Sequence, residues 1–344
     1  MNRRNSITLA IGTLVGVVLI LSWLHYNPVH EIRMHFSSVN YRWVLLSSIA
    51  YLSAYFIRAC RWKLLLPSST SRNKDGSKTS SPSMAKVWMY AMAGNLINYI
   101  IPIRAGDVAR AWFLKRNHNV PFLKGLPSVF IDKAFDTIAI LFVIIILPFL
   151  AIEISKGMLT LLVLLLLVFV LTLGLLILAA WRKDTVITIV KGVLFWIPQR
   201  FKQRVHDAIE VFISELNTFE HHPAMLLATT LLTALGILLD GLYFFLLFKA
   251  FSISFPFPLA LFGYTLINLS YALPQPPVQL GSNEWMMIIV FSVGFGLTKS
   301  SAAAIMAFAH ILTFLLMFVL GSIAIAVSGA EIITKIFKGD KIHE

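Results

Sequence analysis

Charged and helix-breaking residues occur together at two places in a chain that is otherwise strongly apolar. The first is NLINYIIPIRAGDVAR, residues 95–110, and the second is NLSYALPQPPVQLGSNE, residues 268–284. Each begins with Asn, continues through an apolar run to Pro, and ends on Gly and a nearby carboxylate. Because apolar helices that break in corresponding places commonly form binding sites, these two breaks are the first candidates for function.

The chemistry that these residue types favour is anion binding. A helix that starts at each break directs unpaired N–H groups and its positive dipole end toward the break. Arg104 adds a guanidinium group suited to bidentate contact with phosphate. The predicted substrate-binding residues are Asn98, Arg104, Gly106, Asp107, Arg110, Gly281 and Glu284.

Structural roles compete with this interpretation. Asp107 and Glu284 would each stabilise the first turn of a helix. The free-energy cost of a carboxylate inside a bilayer is nevertheless larger than the stabilisation that capping provides. Asp107 and Arg110 have the spacing of a local ion pair. Asn98 could instead satisfy backbone groups that the break frees.

A second set of ionisable residues lies inside the apolar segments, where charge is expensive and usually functional or paired. Asp132 and Asp136 share one helix face at four-residue spacing, while Asp240 and His310 stand alone and serve either as packing partners or as pathway residues. The predicted charge-relay or ion-pair residues are Arg58, Arg61, Asp132, Lys133, Asp136, Asp240 and His310.

Composition indicates a polytopic membrane protein. Of the 344 residues, 58% are hydrophobic and 13% are charged, and the mean hydropathy is +0.80; soluble domains carry about 25% charged residues. The single cysteine excludes a disulfide framework and a multi-cysteine metal site. The net charge of +13 is explained by cytoplasmic loops rather than by nucleic acid. We expect no cofactor and no metal.

The predicted fold is all-α, with about six full transmembrane helices and two re-entrant helical hairpins. The hairpins cover about residues 86–116 and 258–296, and the positive-inside rule favours re-entry over full crossing at the first. With both termini cytoplasmic, the hairpins point in opposite directions and form an inverted repeat. The predicted full spans are residues 7–24, 43–58, 122–152, 158–180, 223–250 and 301–327.

The chain is predicted to be a single transmembrane domain. Its halves, residues 1–180 and 223–330, are joined by an amphipathic helix at 185–222 on the cytoplasmic surface, and residues 331–344 form a cytoplasmic tail. A partner-binding role is the alternative for the amphipathic segment.

Four landmarks, in order, resemble the flippase-like transmembrane family related to the membrane domain of lysylphosphatidylglycerol synthases. They are RACRW (58–62), PIRAGD (102–107) with Asn98 and Arg110, DKAFD (132–136), and PVQLGSNE (277–284). Asp replaces the family's Glu at 107 and 132, Lys133 replaces Arg, and Val278 and Gln279 stand where the family has glycines. The resemblance implies the membrane unit, which moves lipids between leaflets, without an aminoacyl-transfer domain.

Three functions are therefore compared. The leading one is translocation of a lipid or a lipid-linked anionic headgroup across the cell membrane. The second is a membrane-embedded lipid phosphatase or transferase, for which the breaks offer Ser282 and Glu284 but no histidine. The third is an ion-coupled carrier of small anions. The expected partner is a phospholipid or lipid-linked substrate, with no nucleic acid; a homo-oligomer is left open.

Overall fold

The protein is all-α throughout the residues that the structure describes. The computed structural model describes residues 3–66, 80–101, 105–146, 223–271 and 275–329, together with residues 160, 163 and 167. The helices are α1 (Arg3–Tyr26), α2 (Val29–Phe36), α3 (Tyr41–Leu64), α4 (Met84–Ile100), α5 (Ala105–His118), α6 (Phe122–Ile146), α7 (Pro223–Ala250), α8 (Phe257–Ser270), α9 (Ser282–Met287) and α10 (Lys299–Ser328). A 3-10 turn, Pro277–Gln279, precedes α9, and a π-helical stretch, Ile288–Gly294, follows it.

Three of these helices, α3, α7 and α10, are long and apolar enough to cross a membrane. The shortest has 24 residues and reaches about 36 Å, against about 30 Å of hydrocarbon. Helix α1 qualifies together with α2, after a bend of 80°. Helix α6 has 25 residues but carries three charged side chains in its middle. An all-α membrane fold is confirmed, whereas the described residues hold fewer clear spans than six.

Several predicted elements lie outside the described residues. They are the span at 158–180, apart from three single residues, the amphipathic segment at 185–222 and the tail at 331–344.

Helices α4 and α5 form the first hairpin. With 17 and 14 residues they reach only about 26 and 21 Å, less than the hydrocarbon thickness. The two glycines near the tip allow the backbones to touch, because a Cβ on Gly106 would lie 1.8 Å from the Gly94 carbonyl oxygen. Tyr90 stacks on Phe113 with ring centroids 5.3 Å apart, which aligns the two helices as an antiparallel pair.

Helix α8 and the α9 segment form the second hairpin. Gly263 faces the ring of Phe291, and a Cβ added to Gly263 would lie 2.2 Å from the Phe291 Cζ atom. At the tip, Val278 and Gln279 have positive φ angles of 58° and 57°, a conformation that costs about 1 kcal/mol or more in a non-glycine residue. The backbone at Gly281, with φ of 79°, lies against Leu19 of α1.

The two hairpins contact α10 from opposite ends. Near its C-terminal end, the Ser328 carbonyl accepts a hydrogen bond from Asn117 at the base of the first hairpin, at 3.3 Å. Gly321 faces Leu96 farther along, and His310 contacts Val278 at the tip of the second hairpin. The tips therefore meet near the middle of α10. Placement of the hairpins in a bilayer as re-entrant elements stays a prediction.

Candidate functional site

A cavity of about 540 Å³ lies where the two hairpin tips approach α3, α6 and α7. We call it the central cavity. Its walls carry a set of charged side chains, namely Arg58, Asp107, Arg110, Asp132, Lys133, Asp136 and Asp240. Asn98 also lines it, so the cavity gathers eight of the fourteen residues that the sequence singled out.

Arg61 is the most deeply buried charge of this region, with 0% of its surface exposed. Its guanidinium donates to the Asp132 carboxylate at 2.9 Å, to Asp136 at 2.8 Å and to the Thr233 hydroxyl at 2.9 Å. Removal of one partner from a buried ion pair typically destabilises a protein by about 3–5 kcal/mol. Arg61 therefore holds α3, α6 and α7 together.

Arg58 extends this ion network toward the second half. It lies 3.3 Å from Asp136 and donates through two nitrogens to the Asp240 carboxylate, one of these contacts at 3.1 Å. Its side chain is 21% exposed, so unlike Arg61 it is open to the cavity. Lys133 lies at the edge of the network, 3.8 Å from Asp136.

Arg110 was predicted to bind substrate, and in the structure it is also part of the network. Its Nη2 atom lies 3.0 Å from Asp132, and its guanidinium lies over the Trp62 ring at 3.9 Å. The suggested local pair with Asp107 is wrong, because Arg110 turns toward α6 instead. Its buried Nε atom has no hydrogen-bond partner among the described residues.

Asn98 holds the start of α5. Its side-chain oxygen accepts from the Gly106 N–H at 2.7 Å, and its amide donates to Asp107 at 3.1 Å. One of the free N–H groups proposed as an anion site is thus already satisfied from within the hairpin. Arg104, together with residues 102 and 103, lies outside the described residues.

Glu284 and His310 form a buried pair at the second tip, 3% and 7% exposed. The His310 Nδ1 atom contacts the Glu284 carboxyl group, and Nε2 lies 2.8 Å from the Val278 carbonyl. Because a carbonyl only accepts, Nε2 carries a hydrogen. The contact at Nδ1 then needs a proton on His310 or on Glu284. Asp240 thus has a partner in Arg58 and His310 one in Glu284, so neither stands alone.

This pair does not have the geometry of an activated nucleophile. Both ring nitrogens of His310 are engaged, and the Ser282 hydroxyl donates to the Gln279 carbonyl at 2.9 Å.

Gly281 has a packing role, since its missing Cβ lets α1 approach the tip. Within the described residues, no group of three or more His, Cys, Asp or Glu side chains is placed to hold a metal ion.

Sequence reasoning missed the tyrosines. Six of the nine in the chain line the central cavity, namely Tyr51, Tyr55, Tyr99, Tyr243, Tyr264 and Tyr271. The signal was available, because tyrosine in membrane helices concentrates at the interfaces, whereas several of these lie well inside apolar helices. Buried polar atoms of Tyr99 and Asn283, the hydroxyl and Oδ1, have no partner among the described residues.

Comparison with known proteins agrees with the resemblance noted in the sequence. The family described as the lysylphosphatidylglycerol synthase TM region matches residues 7–321. The chain is 22% identical over 327 residues to the UPF0104 membrane protein MJ1595 of Methanocaldococcus jannaschii, which covers 93% of this chain and 94% of that protein.

It is also 27% identical over 135 residues to the glycosyltransferase AglD of Haloferax volcanii, covering 39% of this chain but only 20% of that enzyme. No solved structure matches the chain. Because the family match extends over most of the sequence, the protein belongs to the family of lysylphosphatidylglycerol synthase transmembrane regions.

Proposed function

We propose that this protein moves a polar lipid between the leaflets of the cell membrane, with the lipid headgroup passing through the central cavity. The observation that carries the proposal is a charge-lined cavity of about 540 Å³ between two hairpin tips in an otherwise apolar chain. A headgroup that enters such a cavity leaves water but contacts fixed polar groups, and it avoids contact with hydrocarbon. The cavity would therefore lower the free-energy barrier to moving the headgroup across the membrane.

The ion network suits a headgroup better than a free anion. Its arginines already face carboxylates, so a phosphate must share Arg58 or Arg110 with an aspartate. Three buried polar atoms of cavity-lining residues have no hydrogen-bond partner among the described residues: Arg110 Nε donates, Asn283 Oδ1 accepts, and the Tyr99 hydroxyl can do either. A phosphate bearing a hydroxyl or amine substituent would match both the donors and the acceptor.

Family membership supports a lipid ligand. The family is named after the membrane region of a phospholipid synthase, and the lipid is the part of that activity that a membrane region would share. The predicted topology, with both termini cytoplasmic, would let the two hairpins contact the headgroup from opposite leaflets in turn.

The test is leaflet exchange of fluorescent phospholipids in proteoliposomes that contain the full chain. Tyr99→Phe removes only the hydroxyl, and one lost hydrogen bond of about 1 kcal/mol corresponds to an exchange rate about five-fold lower. Tyr41→Phe is the matched control, since Tyr41 is 73% exposed at the start of α3. Equal rates for both variants would remove the central cavity from the mechanism.

Arg104→Ala removes the guanidinium group that was predicted to contact phosphate, and Arg42→Ala, at an exposed arginine of α3, is its control. We expect exchange to fall at least ten-fold in the first variant alone, since a charge-assisted contact is worth about 1.5–3 kcal/mol. Release of phosphate from a prenyl phosphate would support the enzyme instead. Uptake of soluble phosphate without lipid exchange would support the anion carrier.

A further inference from the structure

A second cavity, of about 720 Å³, lies beside the tip of the second hairpin. We call it the lateral cavity. It is bounded by α1 through Gly16, Ile20 and Trp23, by the hairpin tip, and by α10 through Ala307 and Leu315. Nearly all of its lining is apolar, in contrast to the central cavity.

The two cavities are separated by a single layer of the hairpin tip. Val278 and Glu284 line the lateral cavity, while their neighbours Gln279 and Asn283 line the central one. The buried His310–Glu284 pair belongs to this dividing wall. A molecule that is polar at one end and apolar at the other could therefore contact both cavities across the tip.

Two buried polar atoms distinguish the lateral cavity from ordinary lipid-facing surface. The Trp23 Nε1 and Glu284 Oε2 atoms have no hydrogen-bond partner among the described residues, and each residue is only 3% exposed. The desolvation of such an atom costs about 1–3 kcal/mol if nothing satisfies it. Bulk lipid tails cannot do so, because they carry no acceptor for an indole N–H.

We propose that the lateral cavity binds one chain of a glycerolipid, with an ester or ether oxygen next to the glycerol accepting a hydrogen bond from Trp23 Nε1. The headgroup of the same lipid then lies toward the central cavity, and a hydroxyl or amine near the glycerol donates to Glu284. A polyprenyl phosphate fits less well, since its chain has no oxygen beyond the phosphate. The choice of a lipid rests on the proposed function.

The experiment is photocrosslinking of the purified full chain in nanodiscs. One probe is phosphatidylethanolamine with a diazirine on the acyl chain near the ester, and the other is a diazirine-bearing polyprenyl phosphate. We expect the first probe to label the cavity-lining parts of α1 and α10, as mapped by mass spectrometry, and the second to label them several-fold less.

Two pairs of variants make the result specific. Trp23→Phe should lower labelling about five-fold, the equivalent of one hydrogen bond. Trp88→Phe should leave it unchanged, because the Trp88 indole also lacks a partner but lines neither cavity. Ala307→Trp fills the lateral cavity and should abolish labelling, whereas Val319→Trp, on the exposed face of the same helix, should not.

Equal labelling in each variant and its control would show ordinary lipid contact and overturn the proposal, as would stronger labelling by the polyprenyl probe. Leaflet exchange measured on the same samples separates this proposal from the proposed function. Exchange that depends on Tyr99 without specific labelling would contradict the lateral site alone. Specific labelling in a protein without exchange would contradict the translocation function alone.

Discussion

The two halves of the molecule hold their buried charge in different ways. Helices α6 and α10 each follow a hairpin, and Asp132 and His310 each lie about three turns into their helix. In the first half, Asp132 contacts Arg61 and Arg110, which stay charged at any physiological pH. In the second half, His310 contacts Glu284, and an imidazole is charged only when it is protonated. The first site is therefore fixed electrostatically, while the second can change its charge.

The packing of the two hairpins differs as well. In the first, backbone touches backbone at Gly94 and Gly106. In the second, Gly263 faces the ring of Phe291, which belongs to a cluster of phenylalanines that includes Phe244, Phe248, Phe255 and Phe295. The π-helical stretch that follows α9 is a further irregularity of a kind common at functional sites. The comparison indicates that the described part of the first hairpin is packed more tightly than that of the second.

The largest expected effect comes from Asp132→Asn. This change leaves Arg61 and Arg110 buried without the carboxylate that they share, and we expect a loss of about 3–5 kcal/mol in the free energy of unfolding. Denaturant titration in detergent micelles would measure it. An effect below 1 kcal/mol would contradict a fixed network in the first half.

Alanine substitutions at the hairpin glycines should follow. Gly106→Ala forces a Cβ against the backbone and should destabilise by about 3 kcal/mol, whereas Gly263→Ala meets the far end of the Phe291 side chain, which can shift more easily than backbone, and should cost about 1 kcal/mol. Gly125→Ala is the control, since its Cβ would find only ordinary contacts, at 3.5 Å or more. Thermal unfolding would rank the three variants. A larger loss of thermal stability for Gly263→Ala than for Gly106→Ala would show that the second hairpin is the more tightly packed of the two.

Glu284→Gln should cost only about 1 kcal/mol, although Glu284 is as buried as Asp132. His310 can be neutral, and its Nδ1 atom then accepts a hydrogen bond from the new amide. The measurement is the same denaturant titration as for Asp132→Asn. Equal losses for the two variants would show that the second half is held by a permanent ion pair as well.

The smallest effect concerns His118 at the base of the first hairpin. Burial and, to a lesser extent, the positive charge of Lys86 lower the pKa of His118, and its ring contacts the Ser80 and Tyr90 hydroxyls. Because the unfolded chain then binds the proton more tightly, stability should be lost as the pH falls below about 6.5.

The melting temperature of the wild type should therefore drop more between pH 8 and pH 5.5 than that of His118→Gln. Lys86→Gln should reduce the difference only slightly. A drop of the same size in wild type and His118→Gln would exclude His118 as the cause.

Residues 95–110 and 268–284 were sufficient to predict two helical hairpins, since Pro and Gly that occur together with polar residues tend to interrupt an apolar helix. The pairing of charges was less predictable. Asp107 was the protein partner considered for Arg110, whereas the structure pairs Arg110 with Asp132, because that partner depends on how α5 packs on α6. Asn98 shows the same limit, since capping and ligand binding need the same side chain.

The sequence by itself determined that the chain is an all-α membrane protein with two interrupted segments, because hydropathy, charge and helix breakers are local properties. The family resemblance was likewise readable from four short motifs. Only the tertiary structure decided which charges meet, that the two tips share one cavity, and that tyrosines line it. Contacts such as Arg58 with Asp240, 182 positions apart, arise from helix packing, and no local pattern encodes them.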